Sequence, residues 1–160
     1  MGTVIVLTQI DRPMEIDVKS APIRDTESFE AFRELLRSVN LPCDDLSLDR
    51  HLLIGYYEDD RLIGTGALEL FGSYALLRSL AVKDALRGRM LGSRITDELI
   101  ELARENKITH IYLLTETARL FFKRKGFVEV DRNDVPAEVQ ASSEFSGVCS
   151  DSAVCMVKAL

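Results

Sequence analysis

The sequence predicts an α/β domain with a mixed sheet, and three observations carry that reading. Strand-like runs follow one another at 51–57, 62–70 and 74–82, with only short polar connectors between them. The period then switches: Leu91, Ile95, Leu99 and Leu102 recur four, four and three residues apart, which is one face of a helix over about 89–106. A further apolar run at 108–114 follows, and a strand reached through a helical crossover lies parallel to 74–82, making a right-handed βαβ unit.

The remaining elements read as follows. The first twenty residues form an extra strand or arm broken at Pro13. A helix over 25–39 is capped by Asp25 or Thr26 and repeats Phe29, Phe32, Leu35, Leu36 and Val39 at helical spacing. It stops at Asn40-Leu41-Pro42, because a residue before proline is pushed out of the helical region. Residues 44–49 make a short helical turn or a loop. Glu58-Asp59-Asp60 reads as a hairpin turn and Gly72-Ser73 as the next, so the first three strands form an antiparallel meander. A short helix over 117–124 ends in Lys123, Arg124 and Lys125, which suit the negative end of a helix dipole, and Gly126 can take the left-handed cap. A strand at 127–130, a brief helix at 135–141 with Pro136 in its first turn, and a closing strand at 153–158 complete the chain.

The 160 residues suit one domain, drawn here as an N-terminal strand or arm at 1–21 and a single domain at 22–160. A net charge of −6 argues against nucleic acid and acidic membranes as partners. No apolar run is long enough to span a bilayer, and the opening MGTVIVLTQIDRP lacks a basic region and a cleavage pattern, so the expected location is cytoplasmic. Cys43, Cys149 and Cys155 are an odd number without zinc-ligand spacing; reduced thiols are expected, and no metal.

The chemistry concentrates in LLRSLAVKDALRGRMLGSRITDEL. A buried strand ends at Val82, a loop carries Arg87, Gly88 and Arg89, and a helix then opens with Gly92 and Ser93 in its first turns. Helix amino termini hold unpaired N–H groups and positive dipole ends, glycines admit close backbone approach, and arginines add charge-assisted bonds; a diphosphate fits there. Neither a Walker loop nor a dinucleotide fingerprint is present.

"SLAVKDALRGRMLGSRI" followed by "IYLLTETARLFFKRKGF" resembles the GNAT superfamily of acetyl-CoA-dependent N-acetyltransferases, over roughly 22–160. Within that superfamily, "LLRSLAV", "FFKRKGF" and "SAVCMVKAL" resemble bacterial acetyltransferases associated with arsenic resistance, and the acetyltransferase domains of amino-acid N-acetyltransferases. The resemblance implies a mixed, mostly antiparallel sheet of six to seven strands with helices on both faces. It also implies that Leu80, Ala81 and Val82 offer backbone groups to the pantetheine arm and an N–H to the thioester oxygen. Arg87, Gly88, Arg89, Met90, Leu91, Gly92 and Ser93 would cradle the diphosphate of acetyl-CoA, and Phe121, Phe122 and Lys125 would flank the arm and the adenine end. Two positions depart from the family pattern. Met90 stands at a usual glycine, which is tolerable where that residue is already helical. Phe122 stands where many members carry the tyrosine that reprotonates the thiolate.

A substrate ammonium must lose a proton before it attacks, and a carboxylate of raised pKa is the usual acceptor. Glu69, near a strand end, is the first choice and Glu116 the second; each also reads as a solvated or helix-start acid. Arg78 interrupts an apolar strand, so it is either paired internally or aimed at a substrate carboxylate. His51, His110, Tyr74 and Tyr112 read as packing, and the thiols as small buried hydrophobes rather than arsenic ligands. The leading expectation is direct acetyl transfer to the primary amine of a small molecule, an amino acid or amino-acid-like (arsenical) compound. The alternative is a non-catalytic CoA-binding module. Two exposed sheet edges, at the arm and the closing strand, allow a homodimer.

Overall fold

The computed structural model describes residues 18–83, 90–148 and 152–160. In chain order the elements are β1 (Val18–Pro22), α1 (Thr26–Ser38), β2 (His51–Glu58), β3 (Arg61–Phe71), β4 (Tyr74–Val82), α2 (Leu91–Glu105), β5 (His110–Thr115), α3 (Arg119–Arg124), β6 (Val128–Glu129), α4 (Ala137–Gln140) and β7 (Val154–Ala159). The seven strands form one sheet in the order β1-β2-β3-β4-β5-β7-β6. Among the described residues only β4 and β5 pair parallel; the other neighbours are antiparallel. The expected mixed, mostly antiparallel sheet is what forms.

Local chemistry sets the boundaries. Asp25 caps α1 by accepting the Ser28 N–H at 2.8 Å, and Asn40 ends it in the left-handed region at φ 60°. Asp59 and Asp60 both hold positive φ, 50° and 63°, as a two-residue type I′ hairpin demands. The short helix begins at Arg119 rather than 117, because Thr115 Oγ1 takes the N–H of Ala118 at 2.9 Å and holds a turn there first. The run at 127–130 contributes only Val128–Glu129 to pairing. The boundary drawn between 21 and 22 falls inside β1, which pairs with β2 along its whole length.

Helices cover both faces. Phe32, Leu35 and Leu36 of α1 pack on Leu53, Leu62 and Ala67. On the other face Ile95 and Leu99 of α2, both fully buried, pack against Ile63, Leu68 and Leu77. Truncating either to alanine would cost about 2–5 kcal/mol. Gly66 lets α2 come this close: a Cβ there would lie 2.6 Å from Ile95 and 2.8 Å from Leu99. A third cluster gathers Leu76, Tyr112, Val139 and Cys155 under α4. Among the described residues no helix is long and apolar enough to cross a membrane.

Candidate functional site

The cleft is a consequence of strand pairing. β4 and β5 are in register only at Tyr74↔His110, Ala75↔Ile111 and Leu76↔Tyr112. Beyond Leu76 both strands continue, to Val82 and Thr115, without pairing to each other. The backbone edge of β4 that faces β5 is therefore left without a strand partner, and unpaired backbone groups of that kind call for a ligand or water.

A bulge reinforces the parting. β3 and β4 pair Thr65↔Ala81 and then Ala67↔Arg78, so β4 carries an extra residue around Ser79. Ser79 adopts φ 59°, a left-handed conformation that costs a non-glycine residue about 1–2 kcal/mol. Thr65 holds it there by donating its hydroxyl to the Ser79 carbonyl at 2.8 Å.

Two adjoining cavities result. One, of about 300 Å³, lies between Leu77–Leu80 of β4 and Leu113–Thr117 at the end of β5, with Arg78, Glu116, Phe122 and Glu144 among its walls. The other, of about 720 Å³, runs from Leu80, Ala81 and Val82 past the start of α2 to Phe121, Arg124 and Lys125. Leu80 and Thr117 line both. α2 points its amino terminus at the larger cavity: Met90 to Ser93 line it, among the described residues no side chain caps the helix, and its first turn holds no acid. Its unpaired N–H groups are free to meet an anion.

Most of the residues expected to hold a cofactor thus meet in one place: Leu80, Ala81, Val82, Met90, Leu91, Gly92, Ser93, Phe121 and Lys125 all line the larger cavity, and Phe122 lines the smaller. Arg87, Gly88 and Arg89 lie outside the described residues, as do Cys149 and residues 1–17. Lys125 donates to Asp97 at 2.8 Å. Met90 is not helical: it sits at φ 61°, two-thirds exposed, in the conformation that the family's glycine would take freely. Phe122 is buried edge-on against Phe121 and Phe127 and presents no hydroxyl to the cleft. Arg124, read from the sequence only as a helix-end charge, and Thr117, read only as a helix boundary, also line the larger cavity.

The polar residues expected to do the chemistry are arranged differently from expectation. Arg78 is buried and paired inside the protein. Its Nη2 donates to Asp45 at 2.7 Å, and its Nη1 donates to Asp45 and, at 3.2 Å, to Glu69. Its Nε lies 3.7 Å from a Glu144 carboxylate oxygen. Of the two readings open for this arginine, internal pairing is the one the geometry favours; a substrate carboxylate would have to displace Asp45 from a two-pronged bond.

Glu69 lies behind Arg78 and accepts from Ser142 Oγ at 2.7 Å, with His51 Nε2 at 3.8 Å. Burial raises its pKa, but His51, Ser142 and the Arg78 charge together pull it below the ordinary glutamate value. That is opposite to the raised value expected of a base, and Glu69 does not line the cleft. Asp45 joins the same network: burial pushes its carboxyl up, while Arg78 and Ser143 pull it down to about 2. Asp45, His51 and Glu69 place one donor atom each within 4.8 Å of one another, yet the guanidinium of Arg78 already supplies positive charge to both carboxylates. Glu116 is exposed at the cleft mouth and accepts from Ser152 at 3.2 Å.

Glu144, which sequence reasoning missed, lies in a π-helical turn between α4 and β7. Its side chain is 10% exposed, and it is part of the smaller cavity's wall. The signals were a lone arginine in an apolar strand and a Ser-Ser-Glu run with no period of its own. Cys43 and Cys155 are buried in different clusters, and burial pushes the Cys155 thiol up to about 11, which keeps it protonated and unreactive.

The family described as Acetyltransferase (GNAT) domain matches over residues 49–129. The amino-acid acetyltransferase of Mycobacterium tuberculosis (strain ATCC 25618 / H37Rv) is 35% identical over 80 residues, covering 49% of this chain and 45% of that protein. The chain therefore aligns with less than half of that relative's length. A GNAT-family acetyltransferase from Staphylococcus aureus Mu50 superposes with a TM-score of 0.73 at 19% identity, over 90% of this chain and 99% of that one. The N-acetylglutamate synthase of Neisseria gonorrhoeae, solved with coenzyme A and N-acetyl-glutamate, superposes with a TM-score of 0.72 at 17% identity, over 89% of this chain and 35% of that one. These two likenesses are likenesses of fold.

Proposed function

Since the chain belongs to the GNAT acetyltransferase family, we propose that it moves the acetyl group of acetyl-CoA directly to the primary amine of a small molecule. The observation that carries this reading is the continuity of the two cavities at Leu80 and Thr117. The larger suits a nucleotide cofactor against a helix amino terminus. The smaller suits an acceptor against the unpaired edge of β4.

In this reading the pantetheine arm of acetyl-CoA lies along Leu80, Ala81 and Val82, adding itself to the sheet where β5 has turned away. The amino terminus of α2, with Met90, Leu91, Gly92 and Ser93, takes phosphate charge, joined by Arg87, Gly88 and Arg89. Arg124 and Lys125 add positive charge at the far wall. An N–H at the end of β4 faces the thioester oxygen, where negative charge grows as nitrogen attacks. Neither buried thiol described lines either cavity, which favours direct transfer over a cysteine relay. The proton acceptor belongs among the carboxylates that reach the cleft, Glu116 and Glu144, rather than with Glu69.

The acceptor is an amino acid or an amino-acid-like compound, arsenicals included. Support comes from the name of the Mycobacterium tuberculosis relative and from the N-acetyl-glutamate bound to the Neisseria gonorrhoeae enzyme. A non-catalytic CoA-binding module is the second reading. It is favoured by Met90 in a glycine's conformation and by the missing hydroxyl at Phe122.

Calorimetry with acetyl-CoA and a thiol-release assay across an amine panel test both. Uptake of acetyl-CoA with release on one class of amine is the expected result. Uptake without release on any amine selects the module, and no uptake ends both readings.

A further inference from the structure

Side chains along β4 stop alternating at Ser79. Leu77, Leu80 and Val82 join the cluster under α2, while Leu76 and Ala81 join clusters on the opposite face. The α2 face thus passes directly from Leu77 to Leu80, skipping a position that a regular strand would have used. Ser79, at the bulge, belongs to neither face. It borders the smaller cavity, where β4 parts from β5.

The conformation of Ser79 is held in place at a cost. Its φ of 59° is unfavourable for a residue with a Cβ, and Thr65, fully buried, donates its hydroxyl to the Ser79 carbonyl. The hydroxyl of Ser79 itself is buried, in a residue 8% exposed, and has no hydrogen-bond partner among the described residues. A dry, unpaired hydroxyl destabilises the fold, and a residue that served only to bend the strand would do better as glycine. The partner left to it is a group that arrives with the ligand. Rotation about Cα–Cβ moves a serine hydroxyl between staggered positions, so a group bound in the cavity that Ser79 lines can meet it.

Position identifies that group. Ser79 precedes Leu80, which lines both cavities, so it stands at the passage between acceptor and cofactor. One acceptor atom must come to that passage, the nitrogen that attacks. A hydroxyl oxygen can take an N–H from that nitrogen as ammonium or as free amine.

We propose that Ser79 holds the acceptor's nitrogen at the passage, accepting one of its N–H groups through Oγ and fixing its direction of attack on the thioester. The proposal rests on the acetyl-transfer reading above. Thr65 acts behind it as a positioning residue. No proton passes to Ser79; removal of the ammonium proton stays with a carboxylate of the cleft.

Ser79→Gly and Ser79→Ala together isolate the hydroxyl. Glycine takes the left-handed φ freely and alanine does not, but both lack the oxygen. Thiol release is measured with L-glutamate, L-glutamine and butylamine as acceptors. Both variants should lose about tenfold or more in kcat/KM for the acceptor, the effect of one hydrogen bond that also aims the nucleophile. KM for acetyl-CoA should stay within about twofold of wild type, because Ser79 does not line the larger cavity. Urea unfolding should find Ser79→Gly at least as stable as wild type.

Wild-type kcat/KM in Ser79→Gly overturns the proposal, since a purely structural role is one that glycine fills. A fall in acetyl-CoA affinity that accounts for the whole loss overturns it too. If either variant fails to fold, the other decides alone. Should wild type release no thiol with any of the three amines, the acetyl-transfer reading falls, and butylammonium chloride titrated by calorimetry with CoA present judges Ser79 by itself. Wild type should bind it, and Ser79→Gly about threefold to tenfold more weakly. Equal uptake by both proteins, or uptake by neither, overturns the proposal.

Discussion

The two halves of the cleft are held together in opposite ways. The acceptor half is over-determined: Asp45 from the loop before β2, Glu69 from β3 and Glu144 from the turn before β7 face the Arg78 guanidinium, while His51 and Ser142 contact Glu69 and Ser143 contacts Asp45. The cofactor half rests on one helix terminus without a side-chain cap, a strained and exposed Met90, and long basic side chains along its far wall. A site that must aim a small nucleophile needs fixed groups. A site that grips phosphates works through backbone N–H groups and mobile cations that adjust to the ligand. Damage to the first half should therefore appear as lost stability, and damage to the second as lost affinity.

The sharpest way to break that contrast is Arg78→Ala. It takes the shared guanidinium from Glu69 and Glu144, which are buried, and from Asp45, which is partly buried, and removal of one partner from a buried ion network costs about 3–5 kcal/mol. Urea unfolding should show the free energy of unfolding in water falling by that much. A loss under about 1 kcal/mol would mean that the network is no more tightly held than a surface ion pair.

Asp45→Asn comes next and adds a pH signature. The Asp45 carboxyl sits at about 2, against 3.8 for the ordinary group, a gap that solvent screening at this partly exposed site holds to at most about 2 kcal/mol. Because its folded pKa is depressed, the stabilisation is complete above the unfolded value and drains away as pH falls towards the folded one. The stability difference between wild type and Asp45→Asn should be about 1–2 kcal/mol near neutral pH and shrink between about pH 4 and pH 2. A difference that stays constant through that window would assign the loss to packing instead of charge.

The contrast also explains what the sequence could and could not tell. Period and turn chemistry made the meander, the α2 crossover and the closing strand readable, because Ile95 and Leu99 repeat on one face and Asp59-Asp60 favours a hairpin whatever the rest of the chain does. That Leu80 to Val82 and Met90 to Ser93 would meet was readable for a related reason: they lie close together in the chain, so their motif is local, and they line one cavity. The acceptor half was not. Asp45, Glu69, Arg78 and Glu144 are scattered over a hundred positions, and no periodicity connects them. The bulge at Ser79, which alters how β4 faces the cleft, left no mark either, since a serine there has no local preference for positive φ.

Met90→Gly is the gentlest change and sharpens the comparison from the other side. Met90 holds φ 61° and ψ 16° at the N-cap of α2, with its side chain two-thirds exposed, so little packing is lost when it is removed. Glycine enters the left-handed region without the clash between Cβ and carbonyl, a relief of about 1–2 kcal/mol, but it also makes the unfolded chain looser. The net gain should be about 0.5–1 kcal/mol in stability. The helix terminus would also be bare for phosphate to approach, so acetyl-CoA should bind about two- to fivefold more tightly by calorimetry, an effect of the same size. A variant that gains stability while binding acetyl-CoA less well would show that the methionine side chain itself contacts the cofactor. The cofactor half would then share the fixed character of the acceptor half.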